Sequence, residues 1–473
     1  MARSVPAKDQ PYEPVGQLVF RLMCASIVFA LFLPGRLLWI FGINYITADA
    51  STLEKVHPAT YMITVTAIVW FSQISGDKRR DFSFRDIMFV GLNLLGAFFV
   101  LVYATIFLGG QLTPIADSLL CAPIFGIILH FMTKRQRNIV LAIVLAYVGL
   151  NVLLIFYEYI SGSTLLPPVY SDLTDLKAQR SSSTSEFDGR ASGLYGHPLS
   201  AGTMTLIFLV CCFETAERLR WRIATLALAA GAVATLPTFG ARWCSVLFAL
   251  YLFFVGVRFI FNMAVTRRIS QQSVVILFVV GLGAVPLGFA AFELGLFDKL
   301  IERFEYDPGS AATRTAAMDM LLESDTSEIM MGDTENTLTN KLIERDSTYG
   351  VEVFWIGFIM RYGLICAIVY FPALFLFMNQ LRIDGGRMGT MVAVVFLALI
   401  SGSLSILGKT QLFSQVVIFT YAMMPAGYRA TREVVAQVAA KRRGVSGPRL
   451  APGLRGQRWL EPDLKGAPNQ LGQ

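Results

Sequence analysis

The segment EFDGRASGLYGHPLSAG, Glu186 to Gly202, sets Arg190, Tyr195 and His197 among glycines between two long apolar runs. A planar guanidinium offers paired, charge-assisted hydrogen bonds that match phosphate oxygens. The glycines at 189, 193 and 196 either let the backbone approach something closely or supply positive φ. A second reading stays open beside this one: a solvated loop arginine followed by a histidine helix cap, since interfacial arginines also serve as anchors. Arg242, in LPTFGARWCSVLF, falls at a tight break between two further apolar runs. A charge at membrane depth costs about 2.5–3.5 kcal/mol on insertion scales, so it tends to have a partner or a task. Arg314, in SAATRTAAMDML, is a third candidate, for which a lone arginine on a helix surface is the plainer reading. Glu352 and Arg361 share YGVEVFWIGFIMRYGLICAIVYF. Arg361 interrupts that run about 2.5 turns after Glu352, which predicts a helix break near Tyr362-Gly363. A carboxylate facing arginines can act as a general base; it can equally close a loop by pairing with a lysine or arginine.

The elements that must hold these residues are membrane helices. The chain has 473 residues, of which 55% are hydrophobic and only 15% charged, with a mean hydropathy of +0.57; a soluble domain carries about 25% charged residues. Apolar runs of roughly 18 residues or more recur along its length. They are continuous rather than alternating, which points to helices and away from a β-barrel. The sequence predicts an all-α polytopic protein with about 12 spans, near 15–34, 56–75, 87–109, 117–133, 139–160, 198–216, 223–240, 243–265, 272–292, 352–379, 388–406 and 411–427. The first run has no small-residue cleavage site behind it and reads as a retained span.

Charge then orients the spans. GDKRRDFSFRD, TKRQRN, ERLRWR, VTRRIS and RIDGGR all follow even-numbered spans, and AAKRRGVSGPRLAPGLRGQR follows the last. Six basic segments on one side make that side cytoplasmic, with both termini there. A transmembrane bundle over 1–427 is predicted, with extracytoplasmic loops at 161–197 and 293–350 that form the mouth of a site. The second loop contains amphipathic pieces, FDKLIERFEY and the segment after Ser310, that predict short helices across the outer end. Residues 428–473 read as a basic, disordered cytoplasmic tail that touches anionic lipid headgroups.

The same distribution accounts for the net charge of +7 without a nucleic-acid partner. The cysteines, Cys24, Cys121, Cys211, Cys212, Cys244 and Cys366, lie in or beside apolar runs and read as small core residues. His57 and His130 are isolated and read as structural. There is no P-loop, no HExxH and no Cys/His cluster, so neither a metal site nor a cofactor is expected.

In order, spacing and shared side of the membrane, these pieces resemble the O-antigen ligase and Wzy-type polysaccharide polymerase superfamily over roughly 186–380. GRASGLYGHPLSAG is similar to the Arg-x-x-x-Leu motif of that family and its Gly-His-Pro signature. LPTFGARWCSVLFAL resembles the segment where the family has Ser-Arg followed by small and apolar residues. Arg314 stands at the place of an outer-loop arginine, and YGVEVFWIGFIMRYGLICAI resembles the segment after the large loop. The ligases carry there a histidine, ten residues and a glycine; counting back from Gly363 puts Glu352 at the histidine position. That departure weakens the ligase reading and leaves the polymerase reading intact.

The resemblance implies a metal-independent membrane glycosyltransferase at the periplasmic face of the bacterial inner membrane. Its donor is an oligosaccharide on undecaprenyl diphosphate and its acceptor a growing polysaccharide. A chain-length regulator or export proteins are the partners it implies. It implies a diphosphate held by Arg190 and Arg242 with help from Arg314, a base at Glu352, and a pocket shaped by Tyr195, His197 and Arg361. The expected function is polymerisation of repeat units in exopolysaccharide, capsule or O-antigen synthesis. A ligase acting on lipid A core is the alternative within that class. A secondary transporter or lipid-linked-sugar flippase is the alternative outside it, against which stand the lack of an internal repeat and the gathering of polar residues at one face.

Overall fold

The computed structural model describes residues 15–43, 45, 54–73, 84–109, 112–166, 190–215, 221–266, 292–293, 295, 297–305, 310–333, 338, 341, 351, 353–402, 406 and 411–424, all within the unit Val15–Tyr428. Helices build it, with no strand among the described residues. In chain order they are α1 (Gln17–Phe32), α2 (Gly35–Ile40), α3 (Pro58–Gln73), α4 (Phe84–Phe107), α5 (Cys121–His130, entered through a π turn at Ile115–Leu120) and α6 (Lys134–Ser161). Then follow α7 (Pro198–Thr215), α8 (Arg222–Thr235), α9 (Arg242–Thr266), α10 (Asp298–Glu305), α11 (Ser310–Glu323), α12 (Thr326–Met331), α13 (Phe354–Gly402) and α14 (Leu412–Met423).

Among the described residues, six stretches are long and apolar enough to cross a membrane: Met88–Phe107, Lys134–Ser161, Pro198–Thr215, Arg222–Phe239, Arg242–Phe261 and Phe354–Gly402. Shorter apolar helices lie at Gln17–Phe32, Ile115–His130 and Leu412–Met423. The run expected at 272–292, apart from Phe292, and the tail at 428–473 lie outside the described residues.

Local chemistry explains the main boundaries. Thr133 and Gln136 form a reciprocal capping box at the start of α6, satisfying two backbone donors that the helix itself leaves open. α6 then runs for 28 residues, about 42 Å at 1.5 Å per residue, which exceeds a hydrocarbon core of roughly 30 Å. α13 is not one rod. Gly363 (φ 81°, ψ 164°) and Gly386 (φ 57°, ψ −123°) cut it into three segments, 354–362, 364–385 and 387–402. Positive φ with extended ψ is open to glycine almost alone, so the helix cannot pass through Gly363. The break expected near Tyr362-Gly363 falls there, and Arg361 closes the first, short segment instead of standing inside a span.

α14 is buried along its whole length and packs against α5, α6 and α7, so it forms the centre of the bundle. In α7, 78% of the apolar window is buried, against 17% in α9; α7 is an inner helix and α9 lies at the rim. Where α7 ends, Glu214 ties three helices together. It pairs with Arg387 Nε at 2.8 Å and Arg258 Nη1 at 3.5 Å, and Tyr251 donates its hydroxyl at 3.1 Å. Beside the second break of α13, Asp384 accepts from Gln380 Nε2 and Tyr421 OH, each at 2.9 Å, and lies 2.7 Å from His130 Nδ1. His130 thus serves within the fold, between α5 and α13.

Candidate functional site

At the opposite end of α6 the last turns grip the segment that carries Arg190. Glu158 is only 1% exposed, and its Oε2 accepts the backbone N–H groups of Ser192 at 2.8 Å and Gly193 at 2.9 Å. Asn151, two turns earlier on the same face of α6, accepts Leu194 N–H at 2.9 Å on Oδ1. Residues 192–194 are therefore laid along α6 with their donors satisfied, as burial requires. Gly193 makes this approach possible. It sits at φ 53°, and a Cβ there would lie 2.9 Å from Asn151 Oδ1. The close approach that glycine permits at this position is to α6 itself. Gly189 lies outside the described residues.

The two ends of this strip are where the chemistry sits. At the near end, Arg190 Nε donates to Phe239 O at 3.0 Å, and Ala191 N–H reaches Thr238 O at 3.3 Å. Those acceptors belong to a 3-10 turn, Pro237–Phe239, that joins α8 to α9. Arg242 opens α9 directly after it. One loop thus gathers the two arginines that stand 52 positions apart in the chain, and the amino end of the long helix α9 adds its own positive potential there. α10 packs against the same turn, and Tyr159 OH ties Gly295, just before α10, to α6 at 2.6 Å.

At the far end, Tyr195 packs edge-on against Tyr147 of α6, with ring centroids 5.4 Å apart. His197 lies one residue before Pro198, the first residue of α7. Its Nδ1 accepts Leu199 N–H at 3.2 Å, so the ring proton is assigned to Nε2. The residue is exposed at the surface, with protein packed around part of its ring. Desolvation by that protein, then the charge of Arg190, then that of Arg36, lower its pKa to about 4. The imidazole is neutral at pH 7 and presents a hydrogen-bond donor.

Arg314 and Arg361 belong to a second assembly, a cap made by α11, α12 and the first segment of α13. Ala317, Met320, Val353, Ile356 and Met360 pack as its own small core, and both arginines are half-buried on it. The cap is fastened by backbone contact. Gly332, after α12, and Gly363, at the break of α13, lie so close that a Cβ on Gly363 would stand 2.4 Å from Met330 O. Tyr103 of α4 donates to Met331 O at 3.0 Å, and Asp333 N–H reaches Arg361 O at 3.3 Å. Lys341 and Glu328 pair at 2.6 Å, which is the largest cause of the lowered pKa of Glu328. Glu352 lies outside the described residues.

The structure therefore joins the Arg190 segment to the turn that leads into Arg242, sets Tyr195 and His197 at the other end of the same strip, and puts Arg314 and Arg361 in the cap. Three residues of the site were not read from the sequence: Glu158 and Asn151, which hold the strip, and Arg36, whose charge reaches His197. A signal for Arg36 exists, because it follows a Pro-Gly break at the end of the first span, on the side that is otherwise poor in basic loops. Among the described residues no group of three or more His, Cys, Asp or Glu side chains is set to hold a metal ion. Fold and site together define an all-helical protein, with helices long and apolar enough for a membrane and a polar, arginine-bearing strip clamped at one end of the bundle. Comparison with family models, with curated proteins and with solved structures finds no match.

Proposed function

We propose that this chain is a membrane glycosyltransferase of the Wzy-type polymerase class, joining oligosaccharide units carried on undecaprenyl diphosphate. The observation that carries the reading is the junction of Arg190 with the Phe239 turn that leads into Arg242, next to a neutral histidine donor. Cations and N–H dipoles fixed in place before reaction stabilise charge as it develops on a departing diphosphate. In the proposed step the acceptor hydroxyl oxygen bonds to the anomeric carbon of the donor sugar. The bond from that carbon to the diphosphate oxygen breaks, and the electron pair leaves with undecaprenyl diphosphate at the arginines. The hydroxyl proton passes to Glu352. Arg314 assists at the diphosphate, and Arg361, with Tyr195 and His197, shapes the pocket. The setting is the bacterial inner membrane, with about 12 spans, both termini cytoplasmic, and the site in the periplasm. The growing polysaccharide is the acceptor, and a chain-length regulator or export proteins are partners.

The test is reconstitution. The full chain in vesicles, given undecaprenyl-diphosphate-linked repeat units, is expected to consume them and release a ladder of longer glycans. Glu352→Gln cannot take a proton and is expected to lose about 10²–10⁴-fold in rate, the usual worth of a general base. A wild-type protein that makes no ladder under these conditions, while moving the lipid-linked unit across the vesicle membrane, would replace the polymerase with a flippase.

A further inference from the structure

The short helix α10 carries an apolar stripe that the protein covers only in part. In DKLIERFE, Leu300, Ile301 and Phe304 share one side of the helix, with Asp298, Glu302 and Glu305 on the other, as the 3.6-residue period requires. Leu300 is 9% exposed, but Ile301 is 39% and Phe304 55% exposed, and Phe292, just before the helix, is 57% exposed. α10 packs on the Pro237–Phe239 turn and on α9. Two successive turns lead into it: Gly295 N–H donates to Phe292 O at 2.9 Å, and Asp298 N–H to Gly295 O at 3.0 Å. Tyr159 OH, at the end of α6, donates to the same Gly295 O at 2.6 Å. Gly295 sits at φ 70°, and a Cβ there would stand 2.7 Å from Asp298 Oδ2, so the approach to α10 is held tightly.

The turn beneath α10 joins Arg222–Phe239 to Arg242–Phe261, two stretches that are each long and apolar enough to cross a membrane. A helix resting on that turn lies at the level where both reach the membrane surface. From the same turn α9 runs on as the least buried of the apolar stretches, at 17%, with Leu250, Phe253 and Phe254 exposed. The uncovered stripe of α10 therefore stands at the head of a lipid-facing helix. In water, Phe292, Ile301 and Phe304 would forgo the gain of burying their apolar surface. At the boundary between headgroups and acyl chains they are buried, while the carboxylates of the other face stay among headgroups and water. DKLIERFE holds three acids and two bases, so attraction to anionic lipid is not what would hold it there. We propose that α10 is an interfacial helix, with Phe292, Ile301 and Phe304 set into the acyl boundary of the adjoining leaflet. Its partner is the lipid itself, engaged by apolar burial whatever the lipid charge. Through the Pro237–Phe239 turn and the Tyr159–Gly295 bond, the bilayer surface then sets the depth of the turn that leads into Arg242. Neither contact depends on the reaction proposed above.

The experiment attaches a nitroxide to Phe304→Cys, Ile301→Cys and Glu302→Cys in turn, on the full chain in phosphatidylcholine nanodiscs. The native cysteines are buried or half-buried, and signal from equally treated wild-type protein is subtracted. Relaxation of the label is read with oxygen, which concentrates in hydrocarbon, and with a neutral nickel chelate, which stays in water. The ratio of oxygen to nickel accessibility is expected above unity at 304 and 301 and below unity at 302. A ratio below unity at 304 and 301 would put the stripe in water and overturn the proposal. Low accessibility to both reagents there would mean that protein covers the stripe, a second copy if the labels broaden one another, and would overturn it too. The same pattern is expected in phosphatidylglycerol nanodiscs and in high salt. A pattern that appears only with phosphatidylglycerol and vanishes in salt would make charge the cause and sink apolar insertion. A second readout needs no substitution. Phosphatidylcholine with a photoreactive diazirine high in its acyl chain is expected to label the 292–305 peptide of the wild-type chain. Labelling of α9 without labelling of 292–305 would show that α10 stands clear of the bilayer.

Discussion

Glu158 fixes the strip that carries Arg190 and His197. Its carboxylate receives two buried backbone donors, Ser192 N–H and Gly193 N–H, and it lies on a helix while its partners lie on a strip that also carries Arg190 and His197. Glu158→Ala leaves both donors buried without an acceptor, at about 1–3 kcal/mol for each group. A lowered melting temperature in detergent and loss of polymerisation are the expected outcomes. Glu158→Gln keeps an amide oxygen for the same two donors and loses only the long 3.4 Å contact from Leu165 N–H, so it is expected to stay close to wild type in both measurements. Equal loss in the two variants would mean that charge, rather than acceptance of these N–H groups, is what the position supplies. Glu158 was not legible in the sequence because in IFYEYISG it reads as the polar end of a span; its role depends on residues more than thirty positions later. Arg190 and His197 stand out in the sequence as candidates, because they lie in a glycine-rich polar strip between apolar runs.

At the scale of elements, glycine decides where helices stop and what may lie against them. The break at Gly363 could be read from the sequence, since Arg361 and Gly363 interrupt an otherwise continuous apolar run. What the break is for could not, because α12 meets it from across the cap. Gly332 and Gly363 bring two backbones together with no room for a side chain on either, and Tyr103 holds the same corner from α4. Gly363→Ala must strain its own backbone, by about 1–3 kcal/mol, and also push Met330 and Met331 away. The expected result is a cap that undocks while the bundle persists: faster proteolysis within 324–341 and a lowered melting temperature, with helical content by circular dichroism nearly unchanged. Tyr103→Phe removes the hydroxyl contacts to Met331 O and Sδ and is expected to cause a smaller shift in the same direction. A Gly363→Ala protein with wild-type proteolysis would show that α12 does not rely on this contact.

Across the whole molecule, both ends of the bundle carry arginines, and they are used differently. At the end where α7 finishes, Arg387 and Arg258 are spent on Glu214, and the nearby connections, TKRQRN, ERLRWR and RIDGGR, are dense in positive charge. At the other end, Arg190 is joined through Phe239 O to the turn that leads into Arg242, a pairing that structure, rather than local sequence, assembles. Cytoplasmic loops hold the excess of Lys and Arg, so the Lys134 end of α6 is expected in the cytoplasm and the Ser161 end outside. The native cysteines permit a direct test, because Cys121, Cys211, Cys212, Cys244 and Cys366 are buried and Cys24 is half-buried within α1. An impermeant maleimide should therefore label the wild-type protein weakly in intact cells. Ser163 and Arg135 are both exposed, one just past the end of α6 and one in its first turn, and neither belongs to the proposed site. Ser163→Cys is expected to react from outside, and Arg135→Cys only after the membrane is permeabilised. The reverse pattern would put the Arg190 strip in the cytoplasm. Polymerisation of lipid-linked units at the outer face would then be impossible for this chain, whatever anion its arginines bind, and the function proposed above would fall on topology alone.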